Sequence, residues 1–347
     1  MKNEFRIASA ALALVLSCAG SAQDAAEPYP VIPLTPQATG APTGHHAGLL
    51  LPPQVMLGHS GKWMLGYQFM YERMNGNLDG SDRMSTGRIL ESFFASPTDM
   101  RMQMHMATLM YVPREGLSLM AMVPYLRKDM DHLTQDGERF KERTDGLGDI
   151  ELRAHYTLFK SADQQQLVYF NGGVALPTGS INERLNVARL EYPMQLGAGT
   201  VSVLPGLSYL GQRGDWGWGV DLQPTLRVRE NRYDYRLGNQ YRINTWAMRR
   251  LSESLNVSLR ADARRIENIN GADEVLDRED EPTKDPNLQA GRRLDLLLGL
   301  NFQPSGTSRA ENQRFYLEAG VPAYQSLDGP QLKTTFLGTI NWQWHFN

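Results

Sequence analysis

Residues 149–159 read DIELRAHYTLF. Ile150, Leu152, Ala154, Tyr156 and Leu158 are apolar, and Asp149, Glu151, Arg153, His155 and Thr157 alternate with them. Side chains of a β-strand point to opposite faces at successive residues, so this segment presents one oily face and one polar face. The same period recurs along the chain. Trp63, Leu65, Tyr67, Phe69 and Tyr71 alternate with Met64, Gly66, Gln68, Met70 and Glu72. Trp216, Trp218, Val220 and Leu222 alternate with Gly217, Gly219 and Asp221. Beyond the strand opening at Trp63, the pattern predicts strands near 100–112, 117–127, 148–159, 166–176, 198–210, 216–229, 237–250, 255–267, 292–303, 313–322 and 332–346.

About twelve alternating segments with almost no helical pattern point to an all-β, antiparallel transmembrane barrel. A barrel closes on itself and leaves no backbone edge unpaired in lipid. The connections agree with that topology. Pro113–Gly116, Lys160–Gln165, Gln212–Asp215 and Leu251–Ser254 are short, whereas Asn75–Asp99, Asp129–Leu147, Pro177–Gly197 and Asn268–Gly291 are long. Short periplasmic turns and long external loops are the habit of outer-membrane barrels. A soluble sandwich would not place arginine and aspartate on the second face of its strands. The last predicted strand is aromatic, with Trp342, Trp344 and Phe346, as is common in bacterial outer-membrane barrels.

Upstream of the barrel, Lys2 and Arg6 precede an apolar run from Ile7 to Leu16, and Gly20-Ser21-Ala22 supplies a small-residue cleavage site. Residues 1–22 therefore read as an export signal cleaved near Ala22. Cys18, the chain's only cysteine, falls inside it, and Val15–Cys18 allows the alternative of a lipoprotein box. Residues 23–60 are proline-rich and aperiodic, and form a periplasmic segment or partial plug before a barrel domain at 61–347. A segment from Gln23 to about Pro53 is long enough to reach into the lumen with His45 and His46 near its mouth; a free tail is the alternative. Lysine and arginine total 35 against 38 acidic residues, so charge does not point to nucleic acid. The expected partners are outer-membrane lipid and lipopolysaccharide, the barrel-assembly machinery and a small-molecule solute, in the envelope of a Gram-negative bacterium; no cofactor is expected.

His59–Met64 (HSGKWM), Met74–Gly80 (MNGNLDG), Met120–Tyr125 (MAMVPY) and Gly146–Asp149 (GLGD) resemble outer-membrane transporters related to the meta-pathway phenol-degradation barrel family. The resemblance covers most of the mature chain. It implies a pore-forming barrel that passes small molecules, with hydrophobic or aromatic compounds as the solute class, and it supplies no defined set of binding residues.

Alternation places Asp149, Glu151, Arg153, His155, Asp221, Arg227, Arg229, Arg242, Arg260, Asp262, Arg264, Arg293, Asp295, Arg314 and Glu318 toward the lumen. Mixed charge across a narrow pore screens solutes by charge and dipole. The alternative is a salt-bridged network that fills a closed barrel. Methionine supplies a second constellation. Met100, Met102, Met104, Met106 and Met110 recur on one strand, and Met120 and Met122 follow on the next. Thioethers and imidazoles suit soft metals, yet methionine also serves as apolar filler. If Val112 pairs with Leu117 across the short turn, Met100–Met110 continue the oily face, while Met120 and Met122 share the lumen with His105. A turn one residue longer reverses this. His45, His46, His59, His105, Met120 and Met122 are the candidate metal ligands.

Two other patterns carry less. Asn75–Asp82 imitates the start of a calcium loop but has Thr86 where the bidentate glutamate belongs. Asp273, Glu274, Asp277, Glu279, Asp280, Glu281 and Asp285 crowd one external loop, which reads as solvated or as bridged to lipopolysaccharide by divalent ions. No strand carries the His-x-Ser pair of an outer-membrane phospholipase, so catalysis is not expected. The expected function is passive passage of small molecules. The alternative is a closed structural or copper-handling envelope barrel.

Overall fold

The computed structural model describes residues 63–163, 165–304 and 312–346. The export signal, Cys18, the proline-rich segment and His45, His46 and His59 lie outside the described residues.

Eleven strands follow one another around the ring: β1 (Trp63–Gly80), β2 (Ala95–Arg114), β3 (Leu117–Thr134), β4 (Ile150–Lys160), β5 (Gln166–Leu176) and β6 (Leu207–Arg213) come first. They are followed by β7 (Trp216–Leu222), β8 (Gln240–Arg250), β9 (Leu255–Ile266), β10 (Gly291–Phe302) and β11 (Gln313–Phe346). Each pairs antiparallel with its chain neighbours, and β11 returns to β1, where Trp63 sits opposite Phe346. The 34-residue β11 crosses twice. Its first half pairs with β10 and its second with β1. The halves also meet each other, since Trp342 Nε1 donates to Gln313 Oε1 at 3.1 Å and Thr334 N donates to Gln325 Oε1 at 2.9 Å. Gly329, at φ +88°, takes the left-handed turn between them. The wall thus has twelve crossings, the even number usual for such barrels.

Alternation decides which side of the wall is wet. On β4, Glu151, Arg153 and His155 are buried inside, while Leu152, Tyr156 and Leu158 are exposed outside. Leu65, Leu119, Ile243, Leu298, Leu317 and Ile340 continue the outward apolar belt around the ring. An exposed apolar surface of this extent is covered by lipid, not water. Above it, Arg73, Asp99, Arg101, Asp131, Asp129 and Arg143 pair on the outer surface at 2.6–3.2 Å and mark the polar edge of the bilayer. No helix among the described residues is long and apolar enough to cross a membrane; the chain crosses with strands.

Several boundaries differ from expectation. The segment 129–147 is not an open loop: β3 continues to Thr134 and Arg139–Leu147 runs back along it, giving a hairpin that projects beyond the belt. The expected strand 198–210 is broken at Pro205-Gly206 into Ser202–Leu204 and β6, because proline cannot donate to the ladder. Pro224 interrupts 216–229 in the same way, between β7 and Leu226–Arg227.

The methionine parity is also corrected. Tyr111 pairs with Leu119 and Met110 with Met120, after a register shift next to the turn. Met100–Met110 therefore face inward together with Met120 and Met122, and His105 faces lipid. The outward imidazole lies between Tyr67, whose hydroxyl is 2.7 Å from Nδ1, and Phe69. It cannot join an inward metal site. One residue of slip at a turn exchanges the two faces of a strand, and the slip at 112–114 did so here.

Candidate functional site

The lumen has two chemically different walls. One is built by β1, β2 and β3. It carries Met64, Met70 and Met74, then Met100, Met102, Met104, Met106 and Met110, then Met120, Met122 and Met130, all at most 5% exposed. Met64, Met106, Met110, Val112, Met120 and Met122 pack as one cluster toward the chain-terminal rim. Met70, Met102, Met104 and Leu126 form a second, and Met74, Met100 and Met130 a third toward the outer mouth. Unbranched thioethers fill such a wall without one fixed packing arrangement.

The facing wall, on β8–β11 and the start of the ring, is a ladder of alternating charge. Arg242 pairs with Asp262; Arg264 bridges Asp262 at 3.3 Å and Asp295 at 3.0 Å. Arg293 holds Asp295 at 3.0 Å and Glu72 at 2.5 Å. Arg260 Nε donates to Glu318 at 2.9 Å and Nη1 to Asn244 Oδ1 at 3.1 Å. Four guanidiniums meet four carboxylates, so the ladder is neutral as a whole but strongly structured along the lumen. Each group is buried, and buried ions hold only when paired and hydrogen-bonded.

Where the alternation-derived lumen residues lie is clear. Asp149, Glu151, Arg153, His155, Asp221, Arg227, Arg242, Arg260, Asp262, Arg264, Arg293, Asp295, Arg314 and Glu318 are buried inside the wall or at its outer end. Arg229 is exposed in the segment after Leu226–Arg227. His155 Nδ1 lies 3.2 Å from Ser118 Oγ, a serine–histidine contact inside the lumen. Its Nε2 is buried without a hydrogen-bond partner among the described residues.

The outer mouth is filled from within by the loop 177–201. Tyr192, Met194, Leu196 and Ala198 are buried, and Met194 and Leu196 complete two of the methionine clusters. Polar anchors hold the loop. Asp149 accepts backbone N–H groups of Gly179 and Ala198, both at 2.9 Å. Lys128, buried on β3, donates to the carbonyls of Pro193 at 2.8 Å and Gln195 at 2.6 Å. Gly197 passes so close to Gly179 that a Cβ would lie 2.2 Å from its carbonyl oxygen. Asp149 of the Gly-x-Gly-Asp motif is thus a loop anchor.

A second loop, 268–290, meets the first. Arg189 pairs with Asp273, and Glu281 reaches His132, 3.2 Å away on the outer extension of β3. Two of the acidic residues expected to be solvated, Asp273 and Glu281, are only 3% exposed. Glu191 of the first loop and Glu281 of the second gather with His132 and Glu142 on the outer hairpin. Burial and the neighbouring Glu142 carboxyl push the Glu191 carboxyl well above the usual carboxylate range. Sequence reasoning missed Lys128, His132, Glu142 and Glu191. For Lys128 and His132 the available signal was polar character at inward parity beyond the apolar stretch of β3, whereas Glu191, in a loop, carried none.

A cavity of about 70 Å³ remains between the walls beneath the loops. Met74, Met100 and Met130 line one side and Arg264, Arg293, Gln325 and Thr334 the other. Pockets that engulf a drug-sized ligand hold about 300 Å³ or more, so this cavity is too small for such a solute.

No protein-family model matches the chain, and no curated protein does. Among solved structures, the crystal structure of an outer membrane channel from Pseudomonas putida F1 is similar at 11% identity and TM-score 0.56, covering 83% of this chain and 96% of that one. The KdgM porin (8% identity, TM-score 0.41, 82% and 99% covered) and the NanC porin (8%, 0.40, 79% and 98%) are more distant. The fold is that of an outer-membrane β-barrel.

Proposed function

We propose that the protein is a passive outer-membrane channel for small amphiphilic solutes, with aromatic and other hydrophobic compounds carrying a polar or acidic group as the preferred class. The observation that carries this is the two-walled lumen. Thioethers offer adaptable apolar contact to a ring or chain, while the facing guanidinium–carboxylate ladder offers polar partners along the route. The loop 177–201 acts as the gate, being the element that closes the outer mouth. The resemblance to transporters related to the meta-pathway phenol-degradation barrels points to the same solute class. Lipopolysaccharide around the outer belt and insertion by the barrel-assembly machinery belong to the same reading.

The test is conductance in planar bilayers together with uptake of aromatic acids and neutral sugars of matched size into proteoliposomes. Channel openings with faster aromatic uptake are expected. A barrel that is correctly inserted yet passes neither ions nor solutes removes the reading.

One observation favours a second function. Met64, Met106, Met110, Met120 and Met122 share one inward cluster, and clustered thioethers are soft ligands suited to Cu(I). Calorimetric titration with Cu(I) separates the two readings. Tight binding lost in a Met106→Leu, Met120→Leu variant, without solute flux in the parent protein, would favour copper handling.

A further inference from the structure

The cluster under the outer loops has the composition and burial of a metal site. His132 comes from the extension of β3, Glu142 from the strand that runs back along it, Glu191 from the loop 177–201 and Glu281 from the loop 268–290. Donor atoms of His132, Glu191 and Glu281 all lie within 4.8 Å of one another. His132 Nε2 stands 3.2 Å from Glu281 Oε2 and 3.8 Å from Glu191 Oε1. The side chains of His132 and Glu191 are 0% exposed and that of Glu281 is 4% exposed. The Glu142 carboxyl adjoins that of Glu191.

Glu281 accepts from Thr283 Oγ1 at 3.1 Å, whereas the other three groups lack partners that burial demands. Neither oxygen of Glu191, nor Oε2 of Glu142, nor Nδ1 of His132 has a hydrogen-bond partner among the described residues. The imidazole is held in orientation by stacking on Phe140, with ring centroids 4.6 Å apart and planes 5° off parallel. Lys284 supplies the nearby ammonium, 3.6 Å from Glu281 Oε1, but it also serves Asp280 at 3.1 Å. Three carboxyls thus meet in a water-excluded volume, an arrangement that holds only while they share protons or a further cation, and a metal ion would supply that cation.

We propose that His132, Glu142, Glu191 and Glu281 bind a divalent transition-metal ion that clamps the two outer loops to the barrel mouth. One imidazole and three carboxylates suit zinc, manganese or ferrous iron, and offer no thioether or thiolate for Cu(I). Because the ligands come from four segments, binding stabilises the closed arrangement of the loops directly. The site does not depend on which solute the channel passes, so its failure leaves that reading standing.

The experiment uses the untagged, membrane-assembled protein, stripped with a chelator and titrated separately with Zn²⁺, Mn²⁺ and Ca²⁺. Bound metal is measured by elemental analysis and affinity by calorimetry, and loop exposure by limited proteolysis within 177–201 and 268–290. One equivalent of metal and slower loop cleavage are expected, with affinity falling at least about 10-fold in Glu191→Gln or His132→Ala, the scale of losing a metal-site interaction. Metal that persists unchanged in Glu191→Gln is held elsewhere and overturns the proposal. Binding of Ca²⁺ alone overturns the transition-metal assignment. Should both variants fail to assemble, the parent protein decides: identical cleavage with and without metal, and no retained ion, sinks the clamp.

Discussion

Asp149 accepts the backbone N–H of Ala198 at 2.9 Å, and through its other oxygen it also accepts that of Gly179 at 2.9 Å. One carboxylate at the outer end of a strand therefore ties down both ends of the segment that fills the outer mouth. Hydrogen bonds to charged groups contribute about 1.5–3 kcal/mol each, so this anchor bears directly on gating. Replacing Asp149 with alanine is expected to raise the open probability in planar bilayers and to speed proteolysis within 180–190, with barrel assembly retained. Unchanged gating would mean that the loop does not control passage.

Lys128 anchors the same loop from the neighbouring strand, through the carbonyls of Pro193 and Gln195. Lys128→Met keeps the buried stem and removes both donors. It should loosen the loop in the same direction as Asp149→Ala. Because both residues restrain one element, the double variant should show less than the sum of the two effects. Strict additivity, measured as the free-energy change of opening, would show that the anchors act on separate motions.

Gly197 tests the closeness of the seated loop. A Cβ there meets Gly179 O at 2.2 Å and Asp149 Oδ1 at 2.8 Å. Gly197→Ala should therefore unseat the loop and reproduce the conductance of Asp149→Ala. A closed channel of parental conductance in this variant would place the gate elsewhere.

Removal of one ladder partner should cost more than any loop change. Arg260 and Glu318 are both buried, at 2% and 1% exposure. Truncating Glu318 to alanine leaves Arg260 with a buried, poorly compensated charge, a loss of about 3–5 kcal/mol. Urea unfolding in lipid vesicles is the measurement. A change below about 1 kcal/mol, the scale of an exposed pair, would show that water reaches the ladder.

The methionine wall should set solute preference. Exchanging Met102 and Met104 for serine removes apolar contact worth roughly 0.8 kcal/mol per methylene-sized group. Aromatic uptake should fall severalfold while passage of neutral sugars is preserved or rises. Equal loss for both solutes would instead indicate a damaged barrel.

Period-two alternation determined the barrel from the sequence alone, because the direction of each side chain along a strand depends only on its immediate neighbours. The same rule placed Arg242, Arg260, Asp262 and Asp295 inside, since each lies on a long, unbroken strand. It failed for Met100–Met110, where the face depended on a one-residue register shift at the turn before β3, a local geometry that composition does not reveal. Tertiary structure also decided the closure of the mouth. His132 and Glu281 lie 149 positions apart in the chain, with Glu142 and Glu191 between them, and no local pattern links the four. Likewise, the ion pairing of Glu72 with Arg293 and the seating of Ala198 on Asp149 exist only because the ring closes and the outer loop turns inward. Alternation records a residue's relation to its own strand, whereas lumen contacts depend on pairing register and loop direction, which are set by the packing of the whole barrel.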